Sequence, residues 1–149
     1  MSRFAWHEKI RFLYGFISFL TLFFGICIYI IFRDLNHLIV FKLIPELEFS
    51  KLIIIELRTS IFSNILKYNF PDMLWFVSGI LLLRFIWFYK KNEQNIYVLS
   101  FYVTGMVFET SQLSDSVPGT FDFLDLLFMG IGAFVEGFLY NKFMLRRFV

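Results

Sequence analysis

The chain has 149 residues, 58% hydrophobic and 17% charged, against about 25% charged in an average soluble domain. With a mean hydropathy of +0.69, it exceeds what one soluble core requires and reads as a single domain that crosses a membrane several times. A net charge of +2 is too small to attract polyanions, and no basic groove accompanies the 23 Phe residues, so a nucleic-acid partner is excluded.

The first apolar run is Ile10–Phe32, with Arg11 at its edge. Its 23 residues exceed the roughly 30 Å hydrocarbon core at about 1.5 Å per residue. It is longer than a signal-peptide core and lacks a small-residue cleavage site, so it is expected to remain as a span. Cys27 lies inside it. As the only cysteine, it excludes an internal disulfide and a paired-cysteine metal site. His7 and His37 have no partner at metal-ligand spacing and read as solvated or interfacial residues.

Residues 33–70 are interrupted by charge every few positions. From Ile54, the residues Leu57, Ile61 and Ile65 keep helical spacing, with Glu56, Ser60, Ser63 and Lys67 opposite. This predicts an amphipathic interfacial helix within a non-spanning connection, a re-entrant pair being the alternative. Pro71 and Asp72 are then expected to open the second span, 72–89. Arg84 reads as extending to the headgroups beside Lys90 and Lys91, or as half of an ion pair inside the bundle. Lys90–Asn95 reads as a polar loop.

The third span is placed at 96–113 and the fourth at 122–140, joined by a tight turn containing Pro118 and Gly119. The fold class is thus all-α and polytopic: four transmembrane helices plus one interfacial helix. Glu136 reads as a boundary group near Lys142, or as a buried proton-carrying acid.

Four spans place both termini on one side. The charges there sum to +6, and those opposite to −4. Because Lys and Arg favour the cytoplasm, both termini are expected to be cytoplasmic, and the turn between the last two spans faces outward.

That outward turn gathers the acids. Glu109 and Gln112 share a helix face above Gly105, and Asp122 and Asp125 begin a stripe that continues through Gly132 and Glu136. Antiparallel packing of the last two spans brings Glu109, Gln112, Asp122 and Asp125 together. Gly105, Gly130 and Gly132 would let the backbones approach closely. Three readings stay open. Asp122 caps the fourth span with Asp125 in its first turn, and Glu109 pairs with Arg58, Lys67 or a hydroxyl. The acids Glu109, Asp122 and Asp125 hold a divalent cation through oxygen ligands. Or Glu109 or Asp125 acts as a general acid or base, or the cluster binds a lipid headgroup. No resident cofactor is expected otherwise.

The E-x-x-Q end of the third span, followed by P-G-T-F-D-x-x-D and a Gly-containing helix, resembles the VanZ-like family of small bacterial membrane proteins. The match is carried by Glu109, Gln112, Pro118, Gly119, Asp122, Asp125 and Gly132, and by Pro71, Asp72, Leu74 and Trp75 at the second span. Thr120 stands where the family often has Arg, and Met129 where it commonly has Asn. The resemblance implies a bacterial inner-membrane protein of the cell envelope; the family's namesake is linked to resistance to the glycopeptide teicoplanin. The expected function is an accessory protein that contacts an envelope lipid or a membrane-protein partner, with self-association allowed. The alternatives are an enzyme on a lipid-linked envelope substrate, with Glu109, Asp122 and Asp125 as acid-base or metal-holding groups, and a small proton-coupled transporter subunit.

Overall fold

A computed structural model describes residues 3–32, 61–114 and 121–145. Their elements are four helices: α1 Arg3–Phe32, α2 Ile61–Ile86, α3 Lys91–Ser111 and α4 Phe123–Leu145. Three stretches are long and apolar enough to cross a membrane, His7–Ile31, Lys67–Ile86 and Phe123–Lys142. The chain is therefore a helical protein with the makings of a membrane bundle. α3 is not among the three, because it opens on Lys91-Asn92-Glu93-Gln94-Asn95 and ends on Glu109-Thr110-Ser111.

Every helix has one apolar face to bury, and α2 is the element that receives the others. Against α1 it runs antiparallel, stitched by a reciprocal serine pair. Ser18 Oγ donates to the Ser78 carbonyl at 2.9 Å, and Ser78 Oγ donates to the Ser18 carbonyl at 2.9 Å. Such hydroxyl bonds matter between membrane helices, where burial of apolar surface gives little drive to association. Tyr29 stacks on Trp75 at 5.5 Å between ring centroids. Gly25 makes room for the Trp75 indole, which a Cβ there would enter.

On its other side α2 builds the core with α3 and α4. Phe76, Ile80, Val98 and Met129 are buried together, with Leu83, Phe101, Tyr102 and Ala133 packed around them. Phe76 stacks on Phe101 at 5.2 Å. Gly79 fits beneath the Phe101 ring. Gly105 and Gly132 leave space for side chains: a Cβ at Gly105 would lie 2.7 Å from both Met129 Cε and Phe76 Cε2, and one at Gly132 would lie 2.7 Å from Val77 Cγ2. Gly130 departs from the packing role expected of it, since no described atom lies within 4 Å of its Cβ position.

Several boundaries differ from the sequence expectation. α2 does not start at Pro71 but ten residues earlier, and Pro71 lies inside it, fully buried. Proline removes one helical hydrogen bond, but neighbouring helices in a bundle make that tolerable. Residues 61–70 of the expected interfacial helix thus belong to α2, and residues 33–60 of that connection lie outside the described residues. The expected loop Lys90–Asn95 is largely the first turn of α3. Among its side chains Gln94 is buried inside the bundle, and the others are exposed.

Gly79→Ala should push the Phe101 ring from its seat and lower the melting temperature in detergent, by the roughly 1–3 kcal/mol typical of overpacking. Gly130→Ala should leave it unchanged. Equal behaviour of the two variants would contradict the packing described.

Candidate functional site

Two polar clusters lie at opposite ends of α2. The distal one stands where α3 ends and α4 begins. Asp122, immediately before α4, accepts a hydrogen bond from the Leu124 N–H on Oδ1 at 2.9 Å, the geometry of an N-cap. Its own N–H donates to Glu109 Oε1 at 3.4 Å, which ties the start of α4 to the last turns of α3. Gln112 Nε2 approaches Glu109 Oε2 at 3.5 Å. Glu109, Gln112, Asp122 and Asp125 therefore sit at one end of the bundle. Gly119 lies outside the described residues.

The group that joins them is Asn69. Its Nδ2 donates to Asp122 Oδ2 at 3.1 Å and to Asp125 Oδ1 at 2.7 Å. It is 2% exposed. One neutral amide thus uses both of its hydrogens on two carboxylates. Sequence reasoning missed it because Asn69 was placed in the connection, on the wrong side of the supposed helix start at Pro71. Once α2 is continuous, Asn69 lies two residues before Pro71 on a helix that runs beside α4.

The donors just named are Asn69, Gln112 and the N–H groups of Asp122 and Leu124. All four are neutral. They hold the carboxylates in place at one end of the bundle. Among the described residues, no group of three or more His, Cys, Asp or Glu is arranged to hold a metal ion.

The second cluster is near the opposite end of α2. Arg84 Nε donates to Glu136 Oε1 at 3.0 Å, and its Nη2 reaches Glu136 Oε2 at 3.4 Å. Its Nη1 donates to Gln94 Oε1 at 3.2 Å and Asn95 Oδ1 at 3.1 Å. The guanidinium carbon lies 3.6 Å from the Tyr140 ring centroid, close enough for a cation–π contact. Tyr140 donates to Gln94 Oε1 at 2.7 Å, Tyr102 donates to Glu136 Oε2 at 3.3 Å, and Gln94 Nε2 donates to the Arg84 carbonyl at 2.9 Å. Arg84, Gln94 and Glu136 are all buried.

This arrangement corrects two preferred readings. Arg84 does not extend to the headgroups, and Glu136 does not pair with Lys142. Each charge instead has its partner within the bundle, the arrangement that the cost of an unpaired buried charge favours. The network is closed on itself. Its chemistry is that of a clasp between α2, α3 and α4, and the distal cluster is the better candidate for contact with another molecule.

Replacing Arg84 by Met, or Glu136 by Leu, leaves one charge buried and unpaired. Each single change should cost about 3–5 kcal/mol in a reversible unfolding assay. The double variant should recover a large part of that loss; a fully additive loss would show that the two side chains do not interact.

No protein-family model, curated protein or solved structure matches the chain.

Proposed function

We propose that the chain is an accessory protein of the bacterial cell envelope, embedded in the inner membrane, that contacts an envelope lipid or a membrane-protein partner through the acid and amide cluster of Glu109, Gln112, Asp122 and Asp125. The observation that carries this reading is the double hydrogen bond from Asn69 to Asp122 and Asp125. A buried amide that bridges two carboxylates at the start of another helix fixes their positions, and polar groups held in fixed positions at one end of a bundle are suited to recognition. The likeness of Glu109, Gln112, Asp122 and Asp125 to the VanZ-like motif supports the same assignment.

In this reading α3 is the fourth span. Its buried polar residue, Gln94, bonds to Arg84 of α2 and Tyr140 of α4, while Leu99, Val103 and Val107 are exposed and would face lipid. Both termini are then cytoplasmic, since that side carries the excess of Lys and Arg, and the distal cluster opens outward.

Glu109→Gln, Asp122→Asn and Asp125→Asn keep shape and hydrogen-bonding capacity while removing charge, and Asn is as good an N-cap as Asp. The three variants should accumulate and melt like the parent protein but lose envelope phenotype and co-purified lipid or partner. Variants that fold and keep both would overturn the proposal. A periplasm-dependent reporter fused to the C terminus should stay inactive; activity there would reverse the orientation.

A further inference from the structure

Between α1 and α4, over the floor formed by α2, runs a groove of about 570 Å³ lined by apolar residues of all three helices, among them Leu13, Ile17, Val77 and Val135. Its polar liners are turned to the protein. Thr21 Oγ1 donates to the Ile17 carbonyl at 3.0 Å and the Ser18 carbonyl at 2.9 Å. Tyr140 donates to Gln94, and Glu136 is held by Arg84 and Tyr102. A groove without polar groups to satisfy does not hold ordered water. Both helices that flank it are among the candidate spans, so its mouth faces hydrocarbon.

The dimensions suit a small-molecule occupant. From Ile10 to Thr21 the α1 wall extends roughly 16 Å at about 1.5 Å per residue. A volume of about 570 Å³ lies within the roughly 300–1,000 Å³ of small-molecule sites, and an apolar groove of that length suits an extended hydrocarbon chain lying parallel to the helices.

Charge identifies the other end of that molecule. Lys9 precedes Ile10 at the groove's end on α1, and Lys142 lies three residues past Leu139 on α4. Both are exposed, and neither has an ion-pair partner among the described residues. Basic side chains at this level attract anionic headgroups. The geometry points to a binding site for one anionic phospholipid, with an acyl chain in the α1–α4 groove and its phosphate between Lys9 and Lys142. This inference uses the membrane setting but not the distal carboxylates.

The test uses the full chain in mild detergent, supplied with equal parts of dioleoyl phosphatidylglycerol and dioleoyl phosphatidylcholine, and native mass spectrometry of the retained lipid. One phospholipid per chain should persist, with phosphatidylglycerol favoured. Lys9→Gln and Lys142→Gln should each lower that preference roughly fivefold, the factor corresponding to about 1 kcal/mol per basic residue near the surface. Val135→Trp and Ile17→Phe fill the groove from opposite walls and should release the lipid. Phe134→Trp, on an outward position that is 73% exposed, should keep it. Retention in both filled variants, a chain that carries no lipid, an unchanged headgroup preference in both lysine variants, or a dimer in place of the lipid-bound monomer would each overturn the assignment. Loss of the distal carboxylates leaves this result unaltered, so the two proposals fail independently.

Discussion

A charge that cannot reach water must find its counter-charge, and this constraint sets the arrangement of the bundle. Arg84 and Glu136 sit in apolar stretches of α2 and α4, and both are buried. Alone, either would cost several kcal/mol in a low-dielectric interior. Together they fix the depth at which α4 lies beside α2. Gln94 and Tyr102 bring α3 to the same level. The Asn69 bridge repeats the constraint at the other end of α2, 15 residues and roughly 22 Å away at about 1.5 Å per residue. Two polar ties on parallel helices define both spacing and register. Between them Gly132 lets α4 settle on Val77 and Met73.

α1 is held differently. Among its described side chains it carries no buried charge, and its ties to α2 include the Ser18–Ser78 pair, ring contacts and the space given by Gly15 and Gly25. At the terminal end, Arg11 Nε donates to the Phe85 carbonyl at 3.3 Å, and its guanidinium lies over the Phe85 ring. Glu8 accepts a hydrogen bond from Tyr89 there as well. None of these ties reaches α4. Tyr14 and Tyr140 meet at 6.5 Å between ring centroids, but along most of their length α1 and α4 stand apart. The groove between them follows from one helix being placed by α2 alone and the other by α2 and α3 together.

The helical class and the cores of three spans were legible because their apolar runs are long enough to decide the matter by length alone. Boundaries were less so. Pro71 followed by Asp72 has the local signature of a helix start, and only tertiary packing, which buries the proline, shows the helix passing through it. Lys90–Asn95 reads as loop by composition, yet Gln94 is the most buried polar residue of α3 because Arg84 needs an acceptor. The convergence of Glu109, Gln112, Asp122 and Asp125 could be read from spacing and a short turn, whereas Asn69 could not, since its role depends on where α2 begins. The clasp left a signal that local reading undervalues. Arg84 lies 15 residues after Asn69 and Glu136 lies 14 after Asp122, so two opposite charges on neighbouring spans stand at equal depth. Matching depths across spans would have paired them.

The two clusters are built differently. In the clasp, the positive guanidinium meets a carboxylate, two amide oxygens and an aromatic face, and Tyr102 adds a donor to the same carboxylate. Positive and negative charge balance one to one, and Arg84, Gln94 and Glu136 are buried, so the clasp has reason to stay closed. In the distal cluster, three carboxylates are positioned by neutral amides and backbone N–H groups. Hydrogen bonds of this kind orient a carboxylate. The internal ion pair supports that arrangement: α4 cannot slide or turn to separate its first-turn acids while Glu136, further down the same helix, is locked to Arg84. The internal pair thus sets the position at which the distal acids are held.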